Sequence, residues 1–204
     1  MCYNLLMKVA IILNSGTPLN RRISADTIIC ADGGYNRCPK TPDYVIGDFD
    51  SAGAIPAGIK VIRHETHKNF TDGEAAVMLA SNLEADSIDI YGVLGGRYDH
   101  TLGNFNIMAL ATSLGMTIKA KEDNLDIYYG NKIVQFNADK DDLISALPHG
   151  GNALIKRSDG LEYPLEKLLL TPTSSRGISN VAIGGKVKFE IDSGNLLVFH
   201  YLNK

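Results

Sequence analysis

The chain has 204 residues, 45% of them hydrophobic and 21% charged, with a formal net charge of −3. That length and apolar content suffice for one large domain or two small ones with a buried core. The acidic balance, with no long run of Lys and Arg, excludes a surface that tracks a phosphate backbone, so nucleic acid is not an expected partner.

The opening stretch MCYNLLMKVAIILNSG contains an apolar run. It falls far short of the ~20 residues that span a bilayer, and it lacks a basic leader and a small-residue cleavage site. It reads as a first buried strand, with no membrane association expected. Cys2, Cys30 and Cys38 form an odd set without CxxC spacing. That pattern suits a reduced, cytoplasmic compartment better than a disulfide framework.

Short β-branched runs follow at KVAIIL (8–13), TIICAD (27–32), DYVIGD (43–48), KVIRH (60–64) and SIDIYGV (87–93). Such near-continuous apolar runs suit strands covered on both faces, as in a parallel sheet. Thr71 followed by Glu74 reads as a capping box, opening a helix whose Ala75, Met78, Leu79 and Leu83 share a face. A second helix is expected after RYDHTLGN, with Ile107, Leu110, Ala111 and Leu114 as its stripe and Gly115 as its stop. Strands alternating with helices predict an α/β domain with a mainly parallel sheet.

Beyond about Ile127 the pattern changes to short alternating segments: KIVQFNA, DLISALPH, ALIKRS, GKVKFEID and NLLVFHYL, separated by Gly, Asn, Asp and Pro. This predicts an all-β sandwich. The expected domains are 1–128, α/β, and 129–204, a β-sandwich.

Ligands of an open α/β sheet bind outside the carboxyl ends of its strands, and the polar residues follow that rule. ADGG, with Asp32, Gly33 and Gly34, ends the second strand; GDFDS, with Asp48 and Asp50, ends the third; GGRYDH, with Gly95, Gly96, Arg97 and Asp99, follows a later one. Asp48 and Asp50, with Asp72 at a helix start, offer the hard oxygens that suit Mg²⁺. Taken singly, each has an ordinary explanation: a strand end, a turn with Ser51, a favourable charge at a helix N-terminus. Their shared rim favours a metal site. Consecutive glycines and an arginine fork suit phosphate, although Gly-Gly is also a common turn, and Lys68 could neutralise phosphate charge. Neither the P-loop GxxxxGK[ST] nor GxGxxG is present. Among the histidines only His100, beside Asp99, stands near this chemistry.

CADGGYN, DYVIGDFDS, KNFTDGEAA and GVLGGRYDHTLGN, in that order, followed by DGLEYPL and RGISN, resemble the thiamine pyrophosphokinase family over nearly the whole chain. The resemblance implies an α/β catalytic domain that binds ATP and Mg²⁺, a thiamine-binding β-sandwich, and a homodimer with active sites between subunits. The implied reaction moves the β,γ-pyrophosphoryl group of ATP to the hydroxyl of thiamine and releases AMP. By matched motif, Asp48, Asp50 and Asp72 are the metal-binding acids. Asp32, Gly33, Gly34, Lys68, Gly95, Gly96 and Arg97 contact ATP and its phosphates. Asp99 lies near the reacting hydroxyl, while Ser179, Asn180 and Tyr163 contact thiamine.

Two departures stand out. Asn69 replaces an acid common in the third motif, and the chain has no Trp to stack on thiamine, leaving Tyr163 as a smaller aromatic face. Two other readings compete. DFDSA superficially resembles the DxDx[TV] motif of haloacid-dehalogenase-like phosphatases, but Ala52 stands where Thr or Val is expected and the motif follows the third strand instead of the first. A non-catalytic sensor of thiamine or a nucleotide is the other, although it would have little use for three carboxylates on one rim.

Overall fold

The computed structural model describes residues 6–16, 18–48, 57–64 and 69–203. The chain forms two compact units, Met1–Asp123 and Asn124–Lys204. The junction precedes the expected position near 128, which falls inside a strand of the second unit, β7 (Leu125–Gly130). Only residues 122–124 separate the strands on either side of the junction, so composition blurs the step.

The first unit holds β1 (Lys8–Ile12), β2 (Thr27–Ala31), β3 (Tyr44–Gly47), β4 (Lys60–Arg63), β5 (Ser87–Tyr91) and β6 (Thr117–Lys121), with helices α1 (Asp72–Asn82) and α2 (Tyr98–Ser113). All neighbouring strands in it are parallel, in the order β4-β3-β2-β1-β5-β6. Central β1 pairs Ile12 with Cys30 on one side and with Tyr91 on the other. Side chains alternate between faces along a strand. Ala10 and Ile12 therefore join one apolar cluster with Ile23, Ile28, Cys30, Val45 and Tyr91, while Val9 and Ile11, also fully buried, point the other way.

Strands β1, β2, β3 and β5 thus behave as runs covered on both faces, whereas β4 is largely exposed, because it is the sheet's outer strand. The capping box of α1 forms as expected: Glu74 N–H donates to Thr71 Oγ1 at 3.2 Å and Thr71 N–H donates to Glu74 Oε2 at 2.7 Å. Such a cap stabilises a helix start by ~1 kcal/mol. The buried face of α1 is Ala75, Ala76, Val77 and Ala80, and Met78 is exposed. Small residues let α1 approach the sheet closely. Helix α2 begins at Tyr98, so Asp99 and His100 lie in its first turn, and it buries Ile107, Met108 and Ala111 while Leu114 is exposed.

The second unit packs two antiparallel sheets around one core. One has the order β12-β9-β14-β7 and the other β11-β10-β13-β8. Besides β7, its strands are β8 (Ile133–Ala138), β9 (Leu143–Pro148), β10 (Ala153–Asp159), β11 (Leu168–Leu170), β12 (Asn180–Val181), β13 (Gly185–Ser193) and β14 (Leu196–Tyr201). The inward residues alternate along β8 (Val134, Phe136, Ala138) and β13 (Val187, Phe189, Ile191), and they meet Ile144, Ala146, Leu196 and Val198 of the other sheet. This is the expected sandwich.

Candidate active site

The carboxyl ends of β1, β2, β3 and β5 share one rim, and strand order reverses between β1 and β5, which is where open α/β sheets bind ligands. On that rim β2 runs into a short 3₁₀ turn, Asp32–Arg37. Asp32 has φ 42°, a left-handed conformation that costs a non-glycine residue on the order of 1–3 kcal/mol. The turn is pinned from outside. A Cβ on Gly34 would lie 2.1 Å from the Ile12 carbonyl oxygen, and Arg37 Nη1 donates to the Leu13 carbonyl at 2.9 Å. The strained Asp32 is 9% exposed, and its Oδ1 is buried without a hydrogen-bond partner.

Asp48 follows β3, and Asp72 is the first residue of α1. Carboxylate oxygens of Asp32, Asp48 and Asp72 all lie within 4.8 Å of one another. Anionic oxygens packed this closely repel, and a hard divalent cation relieves that repulsion. The unpartnered Asp32 Oδ1 fits such a ligand set. Asp32, expected among the ATP contacts, thus joins the acidic cluster. Asp50 and Lys68 lie outside the described residues.

A cleft of about 510 Å³ is lined by Asn14 after β1, Asp32, Asp72, and Asp99, His100 and Asn104 of α2. That volume lies within the range of small-molecule sites, ~300–1,000 Å³. Arg97, just ahead of α2, grips Asp99 with both arms of its guanidinium: Nε donates to Oδ1 at 3.0 Å and Nη2 to Oδ2. This contact, with the His100 N–H, holds the Asp99 carboxyl at about 2. Both side chains are exposed, so solvent screens the pair.

Gly95 (φ 98°) and Gly96 (φ 69°) lie in the exposed loop between β5 and α2. The start of that loop is clamped. Glu122 Oε1 accepts from Val93 N–H at 2.7 Å and Leu94 N–H at 3.3 Å, Asn104 Nδ2 donates to the Val93 carbonyl at 2.9 Å, and Ser15 Oγ donates to the Leu94 carbonyl at 2.9 Å. Burial pushes the Glu122 carboxyl above its ordinary value, against these amide donors and the nearby Arg37. Gly92 (φ 80°) lets Arg37 pass, since a Cβ there would meet Nη1 at 2.2 Å. Sequence reading missed Glu122: in KAKEDN it looks like an ordinary solvated charge.

In the second unit Asn180 is 5% exposed, and its amide bonds to backbone. Its Oδ1 accepts from Tyr163 N–H at 3.1 Å and Val181 N–H at 2.9 Å, and its Nδ2 donates to the Tyr163 carbonyl at 2.6 Å. Tyr163 is 62% exposed. Ser179 is exposed, has φ 59°, and donates its N–H to Ser145 Oγ at 3.0 Å.

Two domain families match the chain in succession: "Thiamin pyrophosphokinase, catalytic domain" over residues 21–120 and "Thiamin pyrophosphokinase, vitamin B1 binding domain" over residues 131–196. The chain belongs to the thiamine pyrophosphokinase family. It is therefore a transferase of the kinase type. A Bacillus subtilis thiamine pyrophosphokinase is 27% identical over 171 residues, covering 77% of each chain. Among solved structures, the B. subtilis thiamine pyrophosphokinase superposes with a TM-score of 0.81 at 24% identity, over 97% of this chain and all of that one. A Candida albicans thiamin pyrophosphokinase gives 0.79 at 18% identity, over 97% and 90%. Those structural likenesses bear on the fold of this family member.

Proposed function

We propose that this family member carries out thiamine pyrophosphokinase chemistry with Mg²⁺ at Asp32, Asp48, Asp50 and Asp72. The observation that carries the reading is the convergence of three carboxylates from three separate elements, one with an unpartnered buried oxygen. The thiamine hydroxyl oxygen bonds to the β-phosphorus of ATP, the bond from that phosphorus to the oxygen bridging to the α-phosphorus breaks, AMP leaves, and the hydroxyl proton passes to solvent. The metal, when bound, draws charge from the phosphate oxygens.

The residues of the chain do the rest. Gly33, Gly34, Gly95 and Gly96 present backbone to the triphosphate, and Lys68 and Arg97 neutralise the migrating pyrophosphate. Asp99 orients the hydroxyl. A carboxyl held at about 2 by Arg97 is a weak proton acceptor at neutral pH, which favours orientation over general-base action. Tyr163 offers its exposed ring to thiamine beside Ser179, and Asn180 fixes the backbone of Tyr163. ATP and metal belong to the first unit, and thiamine contacts come from the second. A cytoplasmic homodimer with active sites between subunits completes the reading. Free Cys30 and Cys38 and the exposed Ile133, Ile178 and Ile183 support it.

The test is product identification from ATP, thiamine and Mg²⁺. AMP with thiamine diphosphate is expected, while ADP with thiamine monophosphate, or phosphate release alone, would overturn the reading.

A further inference from the structure

Cys30, in β2, is fully buried, and Cys38, just past the 3₁₀ turn, is half-buried. Both pack on the cluster that contains Ile12, Val45 and Tyr91. Their thiols hydrogen-bond to one another. Only Cys38 lines an open surface cavity, with Tyr35, Lys40 and Thr41 on its walls. A small oxidant entering that cavity meets Cys38 and not the fully buried Cys30.

We propose that Cys30 and Cys38 are a peroxide-reactive dithiol whose disulfide closes across the turn that carries Asp32, Gly33 and Gly34. The Cys38 sulfur attacks one oxygen of hydrogen peroxide and the O–O bond breaks. The leaving hydroxide takes up a proton to become water, and Cys38 is left as a sulfenic acid. The Cys30 sulfur then attacks the Cys38 sulfur, the S–S bond forms and the S–O bond breaks. Hydroxide leaves with the Cys30 proton as a second water. Two thiols are oxidised to one disulfide, and one peroxide is reduced to two waters.

The environment supports this order. The thiolate is the reacting form of cysteine, and the hydrogen bond from Cys30 holds the Cys38 thiol below its ordinary value, with Lys40 adding to the effect. Lys40 is itself fixed, since its Nζ donates to the Ile23 carbonyl at 2.8 Å. The consequence lies in the fold: the bond would tie the far end of the Asp32–Arg37 turn to β2.

The experiment uses the full chain in a Cys2→Ser background, treated with hydrogen peroxide, alkylated, and cleaved by trypsin. Cleavage after Arg37 separates the two cysteines, so a disulfide appears as linked peptides about 2 Da lighter than their reduced sum and is dissolved by dithiothreitol. In Cys30→Ser a hydroxyl keeps the hydrogen bond to Cys38 but cannot resolve the intermediate, and Cys38 should accumulate as a dimedone adduct. Sulfinic acid on Cys38 with Cys30 still alkylatable would overturn the proposal. So would failure of either thiol to react, or a Cys30→Ser chain that gives no adduct. None of these readouts depends on turnover, so their outcome is separate from the reading of the active site.

Discussion

Asp32 combines a left-handed backbone, deep burial and an unpartnered carboxylate oxygen, three features that oppose stability unless a ligand uses them. Asparagine adopts the same backbone about as readily as aspartate. Asp32→Asn therefore removes the charge and leaves the turn intact. Turnover is expected to fall on the order of 10²-fold or more, with a higher Mg²⁺ requirement and an unchanged melting temperature. Steady-state rates across a Mg²⁺ titration check this, and an unmoved midpoint would remove Asp32 from the ligand set. The reading of Asp48 and Asp72 as acids on a common rim was accessible from sequence, because strand ends and a capping box are local signals. Asp32 was placed on that rim as well, but among the ATP contacts. That its carboxylate joins those of Asp48 and Asp72 was not accessible, because its approach to Asp72 depends on some forty intervening residues in which no local pattern records the outcome.

At the scale of elements, the loop between β5 and α2 offers the sharpest case. Glu122 reaches it across 29 residues of sequence to bind Val93 N–H and 28 to bind Leu94 N–H. Glu122→Ala would leave those amides unpaired, a loss of about 1–3 kcal/mol per buried group. Because the loop continues into Gly95 and Gly96, part of that loss should appear as a KM for ATP raised on the order of tenfold, with KM for thiamine nearly constant. Equal changes in both constants would mean that Glu122 supports the fold alone. Such a residue is invisible to sequence periodicity: a buried carboxylate serving backbone amides looks like any solvated glutamate until its partners arrive. The same holds for Asn180, whose partner Tyr163 is 17 positions away. The elements themselves were legible where a period repeats, as along β8 and β13, while α1 was legible from its capping box and not from its expected stripe, since Met78 is exposed. The 3₁₀ turn, β11 and β12 were too short to carry one, and exposed β4 showed that an apolar run alone does not distinguish an edge strand from a central one.

Across the whole molecule, stability and assembly can be tested apart. The sandwich buries Asp142 and His200, with His200 Nε2 2.7 Å from Asp142 Oδ2 and the Asn203 and Asp139 amides donating to the same carboxylate. Burial pushes the Asp142 carboxyl up, but these donors outweigh it and the net shift is downward. A depressed folded value means that the stabilisation is present above the unfolded value near 3.9 and is lost as pH falls through the folded one. Asp142→Asn should cost on the order of 1.5–3 kcal/mol at pH 7, and melting curves of variant and wild type should converge as pH is lowered below 4. Parallel curves would show that the charge is immaterial.

Assembly has its own test, because a two-fold dimer with sites between subunits would build each site from the first unit of one subunit and the second unit of its partner. Asp72→Asn disables the first unit's part and Tyr163→Ala the second's. A mixed dimer of the two variants then carries one site with both lesions and one with neither. Random exchange of the inactive homodimers makes half of the dimers mixed, so about a quarter of wild-type activity should return. Sites built within a single chain would give no recovery, since every site would keep one lesion. A monomer in solution would remove the shared site altogether.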